Sequence, residues 1–176
     1  LVLPIPQEKM YSLENPPPAD YDPNASINIY DCFNLFTTNE NMEEEWYSSR
    51  DKKKKMIKKR FSLWKTPSHL IIVLNRFVKG RHAHKRDDFV DFPLKSLDIS
   101  KYCIGYDRKN SKYDLYAVAN HTGGMGGGHY YAYCKNLNGN WYEYNDRNVD
   151  QVHNLDEIVS NDAYVLFYQK KTTDSR

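Results

Sequence analysis

Cysteine is scarce in this chain, and the scarcity excludes more than any abundance does. Only Cys32, Cys103 and Cys134 occur among 176 residues, far apart and without a CxxC pair. An odd, scattered set gives neither a disulfide framework nor a four-thiolate zinc site, and it points to reduced thiols in the cytoplasm or nucleus. No apolar run approaches the length of a membrane-spanning helix, and no signal peptide is evident, so no membrane role is expected. An excess of one charge is also lacking, since 25 basic residues against 23 acidic ones leave a formal net charge of +2. That balance does not call for nucleic acid as a partner. Internal repeats are absent, and the only low-complexity stretches are a proline run and a lysine run.

What is present points to one β-rich domain. Fifteen tyrosines combine large buried area with a polar tip, which suits sheets and wet binding surfaces. Leu1 to Pro6 alternates like a strand cut off by prolines, and Glu14 to Pro23 reads as a stiff polar connector. A helix is expected after Ser26, its candidate cap, because Ile29, Cys32, Phe33 and Phe36 recur at the spacing of one buried face. Cys32 is therefore read as core. Asp51 to Lys55 leads into an expected strand on which Ile57, Phe61 and Leu63 share a face. The lysines would form its solvated side, with a basic patch for an acidic partner as the other reading. His69 to Leu74 is a continuous apolar run, expected to be buried on both faces at the centre of a sheet. Lys79 to Asp88 reads as a charged mobile loop in which His82 and His84 are exposed. A metal role there would need partners that the sequence does not place nearby. Leu94, Leu97 and Ile99 suggest a short packed segment, and Lys101 to Lys112 a polar loop. Further strands are expected over Tyr113 to Asn120, His129 to Lys135, Asn140 to Tyr144 and Ala163 to Gln169, with a helical turn over Asp156 to Ser160.

Chemistry concentrates at Gly123-Gly124-Met125-Gly126-Gly127-Gly128-His129-Tyr130, a glycine-rich loop that delivers one histidine onto an aromatic strand. Such a loop removes side chains where another backbone can approach closely. The partner strand closes on Asn145-Asp146, which offers an amide and a carboxylate to a ring nitrogen. A histidine with such an orienter is half of a nucleophilic triad. Turn geometry distinguishes the two candidates. A two-residue turn at Asn138-Gly139 puts Asp146 on the face of His129. A three-residue turn, Leu137-Asn138-Gly139 with Gly139 left-handed, puts Asn145 opposite Tyr131 and diagonal to His129.

These residues resemble the ubiquitin-specific protease family, whose C-terminal catalytic box is a Gly-Gly-His-Tyr strand followed by an aromatic strand ending in Asp-Asp or Asn-Asp. The likeness extends, in order, over Asp31 to Thr37, Phe61 to Trp64, Leu70 to Phe77, Phe89 to Pro93, Tyr113 to His121 and Ala163 to Tyr168. It implies an α+β fold of the papain-like cysteine peptidase type, a mainly antiparallel β palm and fingers with few helices. The helical thumb that carries the nucleophile would lie outside this chain. Residues 1–65 would be a fingers-associated segment with its connecting helix, and 66–176 the palm. The implied activity is thiol-dependent hydrolysis of the isopeptide or peptide bond at the C-terminal glycine of ubiquitin. His129 would be the general base, Asn145 would accept its Nδ1 proton, and Asp146 would be auxiliary; the three-residue turn is the expectation that agrees with this alignment. Gly127 and Gly128 would wall a slot for the Gly-Gly tail, with Phe77 and Tyr130 as aromatic gates and His121 at its base. Ubiquitin or its conjugates and the N-terminal thumb segment are the implied partners, and no cofactor is implied. The fingers of many relatives carry two CxxC pairs, but Ser48-Ser49-Arg50-Asp51 stands where the second would fall, so no zinc is expected and packing of Phe61, Leu63 and Trp64 would hold the fingers instead. The alternative is an inactive module that keeps the fold and binds ubiquitin without cleaving it.

Overall fold

The structure, a computed structural model, describes residues 1–6, 26–42, 45–78 and 80–172. The proline-rich connector expected at Glu14 to Pro23 lies outside the described residues. Eight strands form one large sheet: β1 (Val2–Pro4), β2 (His69–Asn75), β3 (Leu97–Asp98), β4 (Lys112–Gly124), β5 (Gly127–Lys135), β6 (Trp141–Asn145), β7 (Asn148–Gln151) and β8 (Ala163–Lys170). Their order is β1-β2-β8-β4-β5-β6-β7, with β3 beside the start of β4. β1 runs parallel to β2, and the remaining pairs of this sheet are antiparallel.

One face of the sheet carries the core. Leu70, Ile72 and Leu74 of β2, Leu166 and Tyr168 of β8, Tyr113 and Val118 of β4, and Tyr133 of β5 are all buried there with Leu3 of β1. Ile29, Cys32 and Phe33 of helix α1 (Ile29–Phe36) belong to the same cluster. Each such aliphatic side chain contributes about 1.5–3 kcal/mol by leaving water. The buried tyrosines keep their tips satisfied: Tyr168 donates to Pro93 O at 2.8 Å and Tyr113 to Pro67 O at 2.6 Å.

Two expectations about burial fail for one reason. β2 is not buried on both faces and is not central; it lies second from the edge, and its outward Ile71 is 46% exposed. An unbroken apolar run gives no sign of which face lacks a covering layer. Likewise Phe61 and Trp64 do not pack the fingers. Both are exposed, Phe61 stacking on Phe36 under the Lys59 ammonium and Trp64 meeting the edge of Tyr106, while Leu63, of the three, leans on the core. The strand expected across Met56 to Trp64 is also absent. Instead Trp46–Ser48 pairs with Lys53–Lys55 and Glu40–Asn41 pairs with Lys58–Lys59 in two small ribbons whose lysines face solvent.

The α1 cap is Asn28 rather than Ser26. Its side chain accepts from the Tyr30 and Asp31 amides while Asp31 accepts from the Asn28 amide, a reciprocal box that satisfies amides the helix leaves free. The stretch read as a polar loop, Lys101 to Lys112, contains two short 3-10 helices, Ser100–Tyr102 and Tyr106–Asn110. β7 was not expected, because its four residues are all exposed and show no alternation.

A second organising feature is the pair Arg76 and Arg86. Arg76 is wholly buried and donates to Ala163 O (2.7 Å), Arg86 O (3.1 Å) and Asp88 O (2.8 Å). Arg86 grips Asp88 through two bonds of 2.8 Å and reaches Ile5 O and Pro6 O. Together they tie the end of β2, the start of β8 and the N-terminal segment around one edge of the site.

Candidate active site

The hairpin of β4 and β5 carries most of the residues singled out in the sequence. What reads as a glycine-rich loop over Gly123 to Gly128 is a continuation of both strands, paired through Gly124 and Gly127 and closed by Met125-Gly126. Glycine is required within it at Gly128. A Cβ there would run into Thr122 O and the ring of His121, so the missing side chain is filled from inside the protein. A Cβ on Gly127 would meet nothing. Of the two expected slot walls, only Gly127 is therefore open.

His121 is 4% exposed and lies beneath that glycine. Its ring centroid is 4.6 Å from Tyr130 and 5.6 Å from Phe77, while Tyr164, which the sequence reading missed, meets Phe77 edge-on at 5.4 Å. The expected gates thus flank one buried imidazole. Beside them, the strand pair Phe77–Val78 and His84–Lys85 turns the segment read as a mobile loop into a short ribbon. Lys85, also missed, sends Nζ to His121 O at 2.6 Å. His82 and His84 are exposed, and among the described residues no group of three or more His, Cys, Asp or Glu gathers where a metal could bind.

His129 lies on the other face of β5, because neighbouring residues of a strand point to opposite sides. Its main chain pairs with Thr122, and its side chain is exposed. Across the sheet, Lys135 pairs with Trp141 and Asn136 N bonds Asn140 O, so the turn is the three residues Leu137-Asn138-Gly139, with Gly139 at φ +83°. Continuing that register places Asn145 opposite Tyr131, on the face of His129. The side chains meet: His129 Nε2 is 2.6 Å from Asn145 Oδ1. Asn145 Nδ2 donates to Glu143 Oε1 at 3.2 Å, which leaves Oδ1 as the atom facing the histidine.

One expectation is corrected here. The nitrogen that meets Asn145 is Nε2, not Nδ1. With Oδ1 as acceptor, Nε2 carries the proton, and Nδ1 keeps its lone pair on the far side of the ring. Asp146 does not share this contact. It occupies the tight turn from β6 to β7 with φ +53°, and its exposed side chain makes no hydrogen bond among the described residues.

The cysteines are poor nucleophiles. Burial pushes the Cys32 thiol up to about 12, and it likewise raises Cys103 and Cys134. Cys134 is on β5 but an odd number of residues from His129, hence on the opposite face.

The family model described as ubiquitin carboxyl-terminal hydrolase matches residues 22–168. The chain belongs to the ubiquitin carboxyl-terminal hydrolase family. This is a deubiquitinase family. Among its curated relatives, human ubiquitin carboxyl-terminal hydrolase 15 is 41% identical over 172 residues, covering 96% of this chain and 17% of the relative. Ubiquitin carboxyl-terminal hydrolase 4 of Bos taurus is 43% identical over 151 residues, covering 84% and 16%. Among solved structures, a SAGA DUB module of Ubp8, Sgf11, Sus1 and Sgf73 bound to monoubiquitin superposes with a TM-score of 0.76 at 25% identity, covering 98% of this chain and 35% of that one. The same module bound to ubiquitin aldehyde gives 0.73 at 28% identity, covering 86% and 35%. This chain has the papain-like α+β fold of that family, mainly antiparallel β with one α-helix among the described residues. It spans 17% and 16% of those two curated relatives.

Proposed function

We propose that this chain is the histidine-bearing part of a cysteine-type deubiquitinase that hydrolyses the isopeptide or peptide bond at the C-terminal glycine of ubiquitin. The observation that carries the reading is the His129–Asn145 contact of 2.6 Å at an exposed strand end. Asn145 holds the imidazole with Nε2 protonated, and Nδ1 is the base that takes the thiol proton. The resulting thiolate attacks the carbonyl carbon, the carbonyl π electrons move to oxygen, and the imidazolium returns its proton to the leaving amine. Water then attacks the acyl-enzyme with His129 again as base. The nucleophilic cysteine lies outside residues 1–176, since Cys32 and Cys103 are buried in the core and Cys134 projects from the face of β5 opposite His129. Gly127, Tyr130 and Phe77 border the path of the ubiquitin tail, and His121 with Gly128 supports that border from below. On this reading residues 66–176 act as the palm, and a thumb segment preceding them in the catalytic domain supplies the cysteine.

The test is hydrolysis of a ubiquitin C-terminal amide by the full-length protein. Wild type turns over and His129→Ala does not. Equal turnover by the two proteins overturns the assignment; failure of both supports instead an inactive ubiquitin-binding module.

A further inference from the structure

Asparagine is the weaker choice beside a histidine that must become an imidazolium, because its amide can orient the ring but brings no charge. It has a second weakness. The amide can turn over, presenting Nδ2 to the histidine in place of Oδ1, which would favour the wrong tautomer.

The structure answers both weaknesses with one side chain. Glu143 precedes Asn145 by two residues on β6, so both project from the same face. Its Oε1 accepts from Asn145 Nδ2 at 3.2 Å. An ionised carboxylate only accepts hydrogen bonds, so it binds the NH₂ end of the amide and rejects the oxygen end. Glu143 lies opposite the buried Tyr133 in register on β5, and its charge adds to the burial that pushes that phenol up to about 12. The line of contacts runs from the Glu143 carboxylate to the Asn145 amide and on to the His129 imidazole. On the other side, β7 sets Asp150 opposite Glu143 in register, exposed and without a contact to Asn145.

We propose that Glu143 is a positioning residue for the His129–Asn145 pair, fixing the amide so that Oδ1 faces Nε2 and supplying through it the negative charge that asparagine lacks. This rests on the deubiquitinase reading above.

A double-mutant cycle in the full-length protein tests it. Glu143→Gln keeps the shape and removes the charge. It is expected to lower kcat for a ubiquitin C-terminal amide about fivefold with KM unchanged, the pattern of a group acting on the transition state. In an Asn145→Asp background the sign reverses. Two carboxylates side by side repel, so Glu143→Gln is expected there to raise kcat/KM. Asp150→Asn, the neighbouring charge without the contact, stays within about twofold of wild type. A role in folding alone would give the same loss in both backgrounds, and that result, or an effect below twofold in the native background, overturns the proposal. If wild type hydrolyses no ubiquitin amide, the deubiquitinase reading falls, and ring ¹⁵N spectra of His129 decide the proposal separately. A single Nε2–H tautomer in wild type that becomes a mixture in Glu143→Gln supports it, and an unchanged spectrum overturns it.

Discussion

His121 and His129 stand on the two strands of one hairpin and have opposite fates. His121 is 4% exposed, wedged among Phe77, Tyr130 and Gly128, and its Nδ1 has no hydrogen-bond partner among the described residues. His129 is exposed, with one ring nitrogen fixed by Asn145 and the other without a partner among the described residues. The difference shows what turns an imidazole into a base. One nitrogen must be held and the other must be reachable, whereas burial on both sides converts the same ring into packing.

The sharpest way to break this comparison is to truncate both histidines in the full-length protein. His129→Ala is expected to lower kcat/KM by about 10³-fold or more and to leave stability within about 0.5 kcal/mol, since the ring is exposed. His121→Ala should do the reverse in kind, costing about 2 kcal/mol in chemical denaturation by opening a cavity. A large stability loss for His129→Ala would erase the contrast.

Next in size are the orienting candidates. Asn145→Ala is expected to reduce kcat by about 10–100-fold, through loss of the tautomer and ring position, while Asn145→Asp keeps activity. Asp146→Ala should cost less than Asn145→Ala in the same steady-state assay, because its side chain contacts neither histidine. A larger loss at Asp146 would move the orienting role to the turn.

The two glycines give a smaller, structural contrast. Gly128→Ala drives a methyl group into Thr122 O and the His121 ring and is expected to destabilise by roughly 1–3 kcal/mol, whereas Gly126→Ala meets no atom, needs no positive φ and should stay below about 1 kcal/mol. Equal shifts in thermal unfolding would mean that His121 does not need the space beneath Gly128.

The smallest expected effect is a dependence on acid. Hydrogen bonds from Arg86 hold the Asp88 carboxyl below the usual range. A depressed folded value means stability that is fully present above the ordinary carboxylate pKa of about 3.9 and is lost as pH falls below it. Arg86→Met should flatten that acid limb in denaturation measured from pH 5 to pH 3. An unchanged limb would assign it to other carboxylates.

Much of this site was legible in the chain. His129 and Asn145 could be paired in advance, but not from geometry alone: strand parity left a two-residue and a three-residue turn open, and the family resemblance chose the three-residue turn. The ring nitrogen could not, since both orientations of an imidazole fit the same register. Glu143 was available to the same parity argument, two residues before Asn145, but a glutamate on a half-buried strand carries no local signal of what it touches. Tyr164, Lys85 and Arg76 were out of reach for another reason: each acts through contacts far away in sequence, as when Arg76 binds Ala163 O. The fold was read well where periodicity speaks, as in α1, β5 and β8. It was misread where a covering layer decides, as on the outer face of β2, and missed where the turn rather than the strand sets the structure, as in β7.

The central claim is that His129 acts on a cysteine outside residues 1–176. Ubiquitin carrying a C-terminal electrophile, added to the full-length protein and followed by intact mass and peptide mapping, tests it most directly. The expected result is one adduct, at a cysteine outside these residues, formed far more slowly in His129→Ala. An adduct on Cys32, Cys103 or Cys134, or labelling indifferent to His129, would contradict it.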